Sequence, residues 1–138
     1  MKLSIFVAAF SFAVASLYSK DFTKEDLVAA SQKLKAACAA SDLKGAAAQI
    51  LYVGPDKARR FKAPIDYKLE GDQKVVERVC GRISRMGEIK AWGNLESQKK
   101  RDQTWFAISF THLANGEEKK NLFAFLVVGE KLYLGDID

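Results

Sequence analysis

Apolar positions change period once along this chain, from three or four residues before Gly87 to two residues after it. Thr23 to Asp26 reads as a capping box, with Asp in place of the usual Glu, and opens a helix. Leu27, Ala30, Leu34, Ala37 and Cys38 then form one apolar stripe. Ser41-Asp42 restarts the chain as a second, shorter helix from Leu43 to about Tyr52, which Gly54-Pro55 ends. Residues 56–71 carry Pro64, Gly71 and mixed charge, and suit either a short hairpin or a covering loop. Asp72 is expected to cap a third helix that Gly87 closes. On that helix Val75, Val76, Val79, Cys80, Ile83 and Met86 occupy an arc of roughly 140°. Lys74, Arg78, Arg82 and Arg85 occupy about 80° on the other side.

The alternating half predicts four strands. Ile89 to Leu95 starts the first, and Lys99 to Asp102 is a charged loop after it. Trp105 to His112 is the second, with Phe106, Ile108, Phe110 and His112 on one face. Asn115-Gly116 is a strong two-residue hairpin signal, because both positions tolerate positive φ. Leu122 to Val128 is the third strand, apolar on both faces, and Gly129-Glu130 turns it into a fourth, Lys131 to Ile137. Together these elements predict an α+β fold, with three N-terminal helices packed on a curved four-stranded antiparallel meander.

Composition narrows the class. At 138 residues, 49% apolar and 28% charged with 2 prolines, the chain suits one folded domain and excludes a disordered or collagen-like one. Residues 1–19 read as a secretory signal peptide: Lys2 precedes an apolar run from Leu3 to Leu17 and the small pair Ala13 and Ala15. That run is shorter than the roughly 20 residues a membrane-crossing helix needs, so the mature domain, residues 20–138, is expected to be secreted or periplasmic, with no transmembrane segment. Losing Lys2 takes the net charge from +5 to +4, which favours acidic partners without implying nucleic acid. In an oxidising compartment the two cysteines permit one bridge, Cys38–Cys80; the alternative is two buried thiols. Two cysteines and one histidine are too few for a zinc framework, and no metal or cofactor is implied.

The helix pair broken at Ala40 to Leu43, the third helix running out through Met86 to Ile89, and the closing hairpin Phe125 to Ile137 resemble the cone-shaped nuclear transport factor 2-like superfamily, in particular its small secreted domains. A cystatin-like fold, one long helix wrapped by a meander, is the alternative; two additional helices favour the cone. The resemblance implies a pocket between helices and sheet, and pairing of subunits through the sheet. A third strand with two apolar faces independently suggests a homodimer, unless the 55–71 loop covers the second face.

Enzymes of that superfamily use pocket carboxylates, tyrosines or histidines for proton transfer, because a dry pocket brings a carboxylate toward neutrality. The eligible residues here are Asp66, Tyr67, Glu88, His112, Tyr133 and Asp136, with Asp66, Tyr67, His112 and Asp136 the catalytic candidates; none sits in a catalytic motif. Trp105, Phe106, Phe110, Phe123 and Phe125 are chiefly core and candidate cavity lining for an apolar ligand. Lys74, Arg78, Arg82 and Arg85 are candidates for an anionic envelope surface, and Lys57, Arg59, Arg60 and Lys62 form a second basic cluster. The leading expectation is an exported, non-enzymatic domain that binds a small apolar ligand or a protein partner. A small pocket enzyme and an envelope-binding module are the alternatives.

Overall fold

The computed structural model describes residues 21–100 and 102–138. The expected signal peptide, residues 1–19, lies outside the described residues. Three helices, α1 (Lys24–Ala39), α2 (Leu43–Ala47) and α3 (Glu70–Ser84), precede four strands, β1 (Ile89–Lys100), β2 (Gln103–Ala114), β3 (Glu117–Val128) and β4 (Lys131–Ile137). The strands form one antiparallel sheet in the order β1-β2-β3-β4. The α+β class and the meander are as the hydrophobic pattern predicts.

Local signals set most element starts. Thr23 accepts from the Asp26 N–H while Asp26 accepts from the Thr23 N–H, a complete capping box. Asp42 accepts from the Gly45 N–H at 3.0 Å and starts α2. Asn115 and Gly116 have φ of 53° and 80°, as a tight hairpin turn between Ala114 and Glu117 requires.

Four boundaries depart from expectation. Helix α2 ends at Ala47 rather than near Tyr52. Ile50 and Leu51 are extended instead, bridging Leu134 of β4 and Pro64, because burying Ile50 and Leu51 against β4 outweighs continuing a short helix. Asp72 does not cap α3; Leu69 is the N-cap without a side-chain bond, and Asp72 sits inside the first turn facing the preceding loop. Gly87 is not the helix C-cap, which is Arg85. A Cβ at Gly87 would collide with the Leu113 carbonyl, so glycine there permits a close backbone approach. Finally, Lys99 and Lys100 belong to β1, paired with Thr104 and Gln103; a solvated strand end accepts charge on both faces, so composition alone misplaces it.

The helices cover one face of the sheet. Leu27 and Leu34 of α1 and Val76 and Ile83 of α3 are at most 1% exposed, in one core with Phe106, Ile108, Phe110, Phe123 and Phe125. Phe110 and Phe123 stack with centroids 4.5 Å apart. Cys38 of α1 and Cys80 of α3 are joined by a disulfide, with Cα atoms 5.0 Å apart, settling the choice between bridge and free thiols.

The outer face receives the segment between α2 and α3. Leu126 of β3 is fully buried, although it lies outside the helix-side core. Phe61 from the connecting segment sits edge-on to Trp105 of β2, 6.1 Å between centroids. The segment is a covering loop, not a hairpin, and it supplies part of the cover that the sequence leaves to a second subunit.

Candidate functional site

Register decides which side chains meet on the outer face. Residues directly paired across a sheet point to the same side. Glu96 pairs with Ala107, Ala107 with Ala124, and Ala124 with Asp136, which makes a continuous row across all four strands. The next row runs Gln98, Trp105, Leu126 and Tyr133. On the opposite flank lie Ser109 and Leu122, and Leu122 exchanges backbone hydrogen bonds with Asp138 at 2.9 Å each. Two alanines between bulkier rows leave a depression, and a half-open trough of about 860 Å³ occupies it.

The floor of the trough is Ala107 and Ala124, with Leu122 beside them; Trp105 and Phe61 form one wall; Glu96, Ser97, Gln98, Lys100, Gln103, Asp136 and Asp138 supply the polar lining. Two features hold the aromatic wall. A Cβ at Gly135 would lie 2.5 Å from the six-membered ring of Trp105, so the indole uses space that only glycine leaves. Phe61 adopts φ of 61°, a left-handed conformation costly for a bulky side chain. It is held there by its N–H donating to the Tyr52 carbonyl at 2.9 Å and its carbonyl accepting from Gln103 Nε2 at 3.0 Å.

The loop that carries Phe61 is anchored at Asp72. Asp72 is 6% exposed and accepts from the Arg59 guanidinium and, at 2.8 Å, from the Asp66 N–H. Arg59 also lies over the Tyr52 ring, 3.9 Å from its centroid. The Asp72 hydrogen bond raises the Arg59 pKa above its ordinary value, against a smaller opposing effect of burial. Arg59 is therefore committed to an internal pair, whereas Lys57, Arg60 and Lys62 form no ion pair among the described residues.

The sequence candidates scatter. Asp66 is exposed and accepts from the Lys68 N–H, and the half-buried Tyr67 packs on the core and accepts from Gln73 Nε2 through its backbone carbonyl. Glu88 is exposed beside Lys90, and Tyr133 is half-buried on β4. His112 is 3% exposed on the helix side of the sheet; its Nε2 lies 2.7 Å from Asn121 Oδ1, and its Nδ1 is buried without a hydrogen-bond partner. Of the six, Asp136 lines the trough, where its Oδ1 accepts from the Ile137 N–H at 2.9 Å. The five aromatic candidates divide as well. Phe106, Phe110, Phe123 and Phe125 are 1–4% exposed within the helix-side core, so they occupy the space where the family resemblance places a pocket; Trp105 faces the trough.

Lys74, Arg78, Arg82 and Arg85 are exposed along α3, as predicted. Arg82 Nη1 donates to the Ile137 carbonyl at 2.9 Å. Arg78 and Arg82 also border a smaller cavity of about 240 Å³ between α3, β4 and residues 50–53, over Val75, Val79 and the exposed Val53. Among the described residues no group of acidic, histidine or cysteine side chains could hold a metal ion, and no helix is long and apolar enough to cross a membrane.

Of the trough residues, sequence reasoning singled out Trp105 and Asp136; it missed Phe61, the floor of Ala107, Ala124 and Leu122, the polar Glu96, Gln98, Gln103 and Asp138, and Gly135 beneath Trp105. The one available signal was the pair of outward-facing small residues, Ala107 and Ala124, in strands otherwise rich in large side chains. No protein-family model, curated protein or solved structure matches the chain.

Proposed function

We propose that this chain is an exported binding domain, non-enzymatic, that holds a small ligand with an apolar body in the trough on the outer face of its sheet. The observation that carries the reading is the trough itself: an aromatic wall of Trp105 and Phe61 beside a floor of Ala107, Ala124 and Leu122, with polar and charged side chains around them. A concave surface that joins aromatic walls to convergent polar groups is where small ligands bind. A left-handed phenylalanine whose N–H is held by the Tyr52 carbonyl and whose carbonyl is held by the Gln103 side chain supports a functional role for that wall. Export is supported by the Cys38–Cys80 bridge, a bond that persists in oxidising compartments. Three helices ahead of an antiparallel meander support the cone-shaped nuclear transport factor 2-like reading over the cystatin-like one.

A homodimer would use the same outer face, so ligand and second subunit are alternatives for one surface. Native mass spectrometry of the protein purified from its own host tests both. A monomer that retains a small molecule, lost in Trp105→Ala and Phe61→Ala, is the expected result. A ligand-free dimer that these substitutions dissociate would replace ligand binding with self-association.

A second reading, docking on an anionic envelope surface, is supported by the exposed stripe Lys74, Arg78, Arg82 and Arg85. Replacing all four with Gln and measuring envelope association tests it; unchanged association removes it.

A further inference from the structure

The two edges of the sheet are finished differently. The β4 edge is closed by residues 49–51: the Leu51 N–H donates to the Leu134 carbonyl and the Leu134 N–H to the Gln49 carbonyl, each at 2.8 Å. The β1 edge has no such cover; among the described residues no strand or bridge pairs with its far side. Its first half is guarded nonetheless. Both register shifts fall between Ile89 and Leu95, and Lys24 Nζ of α1 donates to the Trp92 carbonyl at 3.3 Å. From Leu95 to Lys100 the register with β2 runs without a shift, and every residue from Glu96 onward is exposed. Alternate residues of that stretch turn their N–H and carbonyl groups away from β2, ready for another strand.

The stretch is also complementary to itself. Glu96 and Lys100 flank Gln98 symmetrically, and both line the trough side of the sheet. About 13 Å of strand separates them, so they cannot pair with each other. Across β2 they face the uncharged Ala107 and Gln103. Among the described residues neither forms an ion pair, not even Lys100 with Asp102 in the adjoining turn. Arg60 and Lys62 flank the Phe61 that Gln103 holds, and so add positive charge toward the Lys100 end. An antiparallel copy of β1, related by a two-fold axis through Gln98, sets each Glu96 opposite the other copy's Lys100. Edge lysines ordinarily repel an incoming strand. In this register Lys100 meets a carboxylate and Lys99 meets Ser97. The two Lys99 residues fall on a diagonal about 8 Å apart, at the Debye length and in solvent, where their repulsion is weak.

We propose that β1 pairs edge to edge with β1 of a second copy of this chain over residues 96–100, with two Glu96–Lys100 ion pairs placed about Gln98. The contact leaves Ala107 and Ala124 uncovered, so two troughs open on one side of a continuous sheet and ligand binding is independent of it. So short a contact buries less than the roughly 1,200 Å² of a stable interface. It is therefore a weak association, with Kd on the order of 100 µM, and the chain is a monomer at the low-micromolar concentrations of native mass spectrometry.

Sedimentation equilibrium from about 10 to 1,000 µM tests the pairing, and the dimer is expected to grow with concentration and to weaken with salt. Glu96→Lys and Lys100→Glu each set like charges opposite one another twice per dimer, and each should weaken self-association about tenfold or more. An equimolar mixture of the two variants restores opposite charges at both contacts and should associate as the unaltered chain does. A misfolded variant would not be rescued in this way. Amide exchange should slow at residues 96–100 as concentration rises. A chain that stays monomeric over the whole range, single variants that associate unchanged, or a mixture that fails to associate overturns the edge pairing. A dimer lost in Trp105→Ala but indifferent to the charge exchange is the face-to-face one, and overturns it too. Retention of a small molecule is read separately, so these outcomes leave the trough reading standing.

Discussion

Asp72 and Arg59 are paired across thirteen residues of chain, and the pair fastens the 52–66 segment to the first turn of α3. The same carboxylate accepts the Asp66 N–H, so one side chain satisfies two donors from the loop that presents Phe61. Truncating it strands a guanidinium stacked on Tyr52 and a backbone N–H. Asp72→Ala is expected to cost about 2 kcal/mol, below the 3–5 kcal/mol of a fully buried pair because Arg59 retains partial solvent contact. Urea denaturation measures it, and Phe61 mobility by hydrogen exchange at its N–H should rise in parallel.

The sign of the pH dependence of this pair follows from Arg59. A pKa raised in the folded state contributes stability that is complete below the unfolded value and lost only as pH climbs through the folded one. Both lie in the arginine range. The Arg59–Asp72 coupling energy from a double-mutant cycle is therefore expected to stay constant between roughly pH 7 and pH 10. A decline within that window would contradict the pairing.

The Cys38–Cys80 bridge closes a loop of 42 residues between α1 and α3. In the chain-entropy account, reduction should lower stability by about 4 kcal/mol. Comparing urea midpoints of the oxidised protein and the Cys38→Ala, Cys80→Ala variant checks it, with the slope reporting any change in the denatured state.

Two glycines should respond differently to alanine. At Gly116 a Cβ meets open space, so the cost is the left-handed φ alone, about 1 kcal/mol. At Gly87 the Cβ meets the Leu113 carbonyl, and the backbone of β2 must move; the expected loss is about 3 kcal/mol or more. Thermal unfolding of the two variants should separate them clearly. Equal losses would mean that Gly87 is not a steric necessity.

His112 Nε2 is tied through Asn121 to the C-terminal residue. Asn121 Nδ2 donates to the Asp138 carbonyl, which leaves Asn121 Oδ1 to accept from His112 Nε2–H. Nitrogen-15 chemical shifts should report a protonated Nε2. Asn121→Ala leaves that buried donor unpaired and is expected to cost about 1–3 kcal/mol.

What could be read from the chain, and what could not, divides along the range of the forces involved. Thr23 and Asp26, Asn115-Gly116, and the placing of Cys38 and Cys80 each on the apolar side of its helix are local matters, governed by φ preferences, near-neighbour hydrogen bonds and the two repeat lengths. They suffice for the α+β order and the inward face of β2. The trough depends on Glu96, Ala107, Ala124 and Asp136 falling in one row, which follows from three registers and a bulge in β4 pairing that no local pattern encodes. Phe61 over Trp105 and Arg59 on Asp72 likewise join segments separated by many residues, through contacts that exist only once the sheet has formed. Local preference wrote the elements into the sequence; long-range packing chose which side of the sheet stayed open.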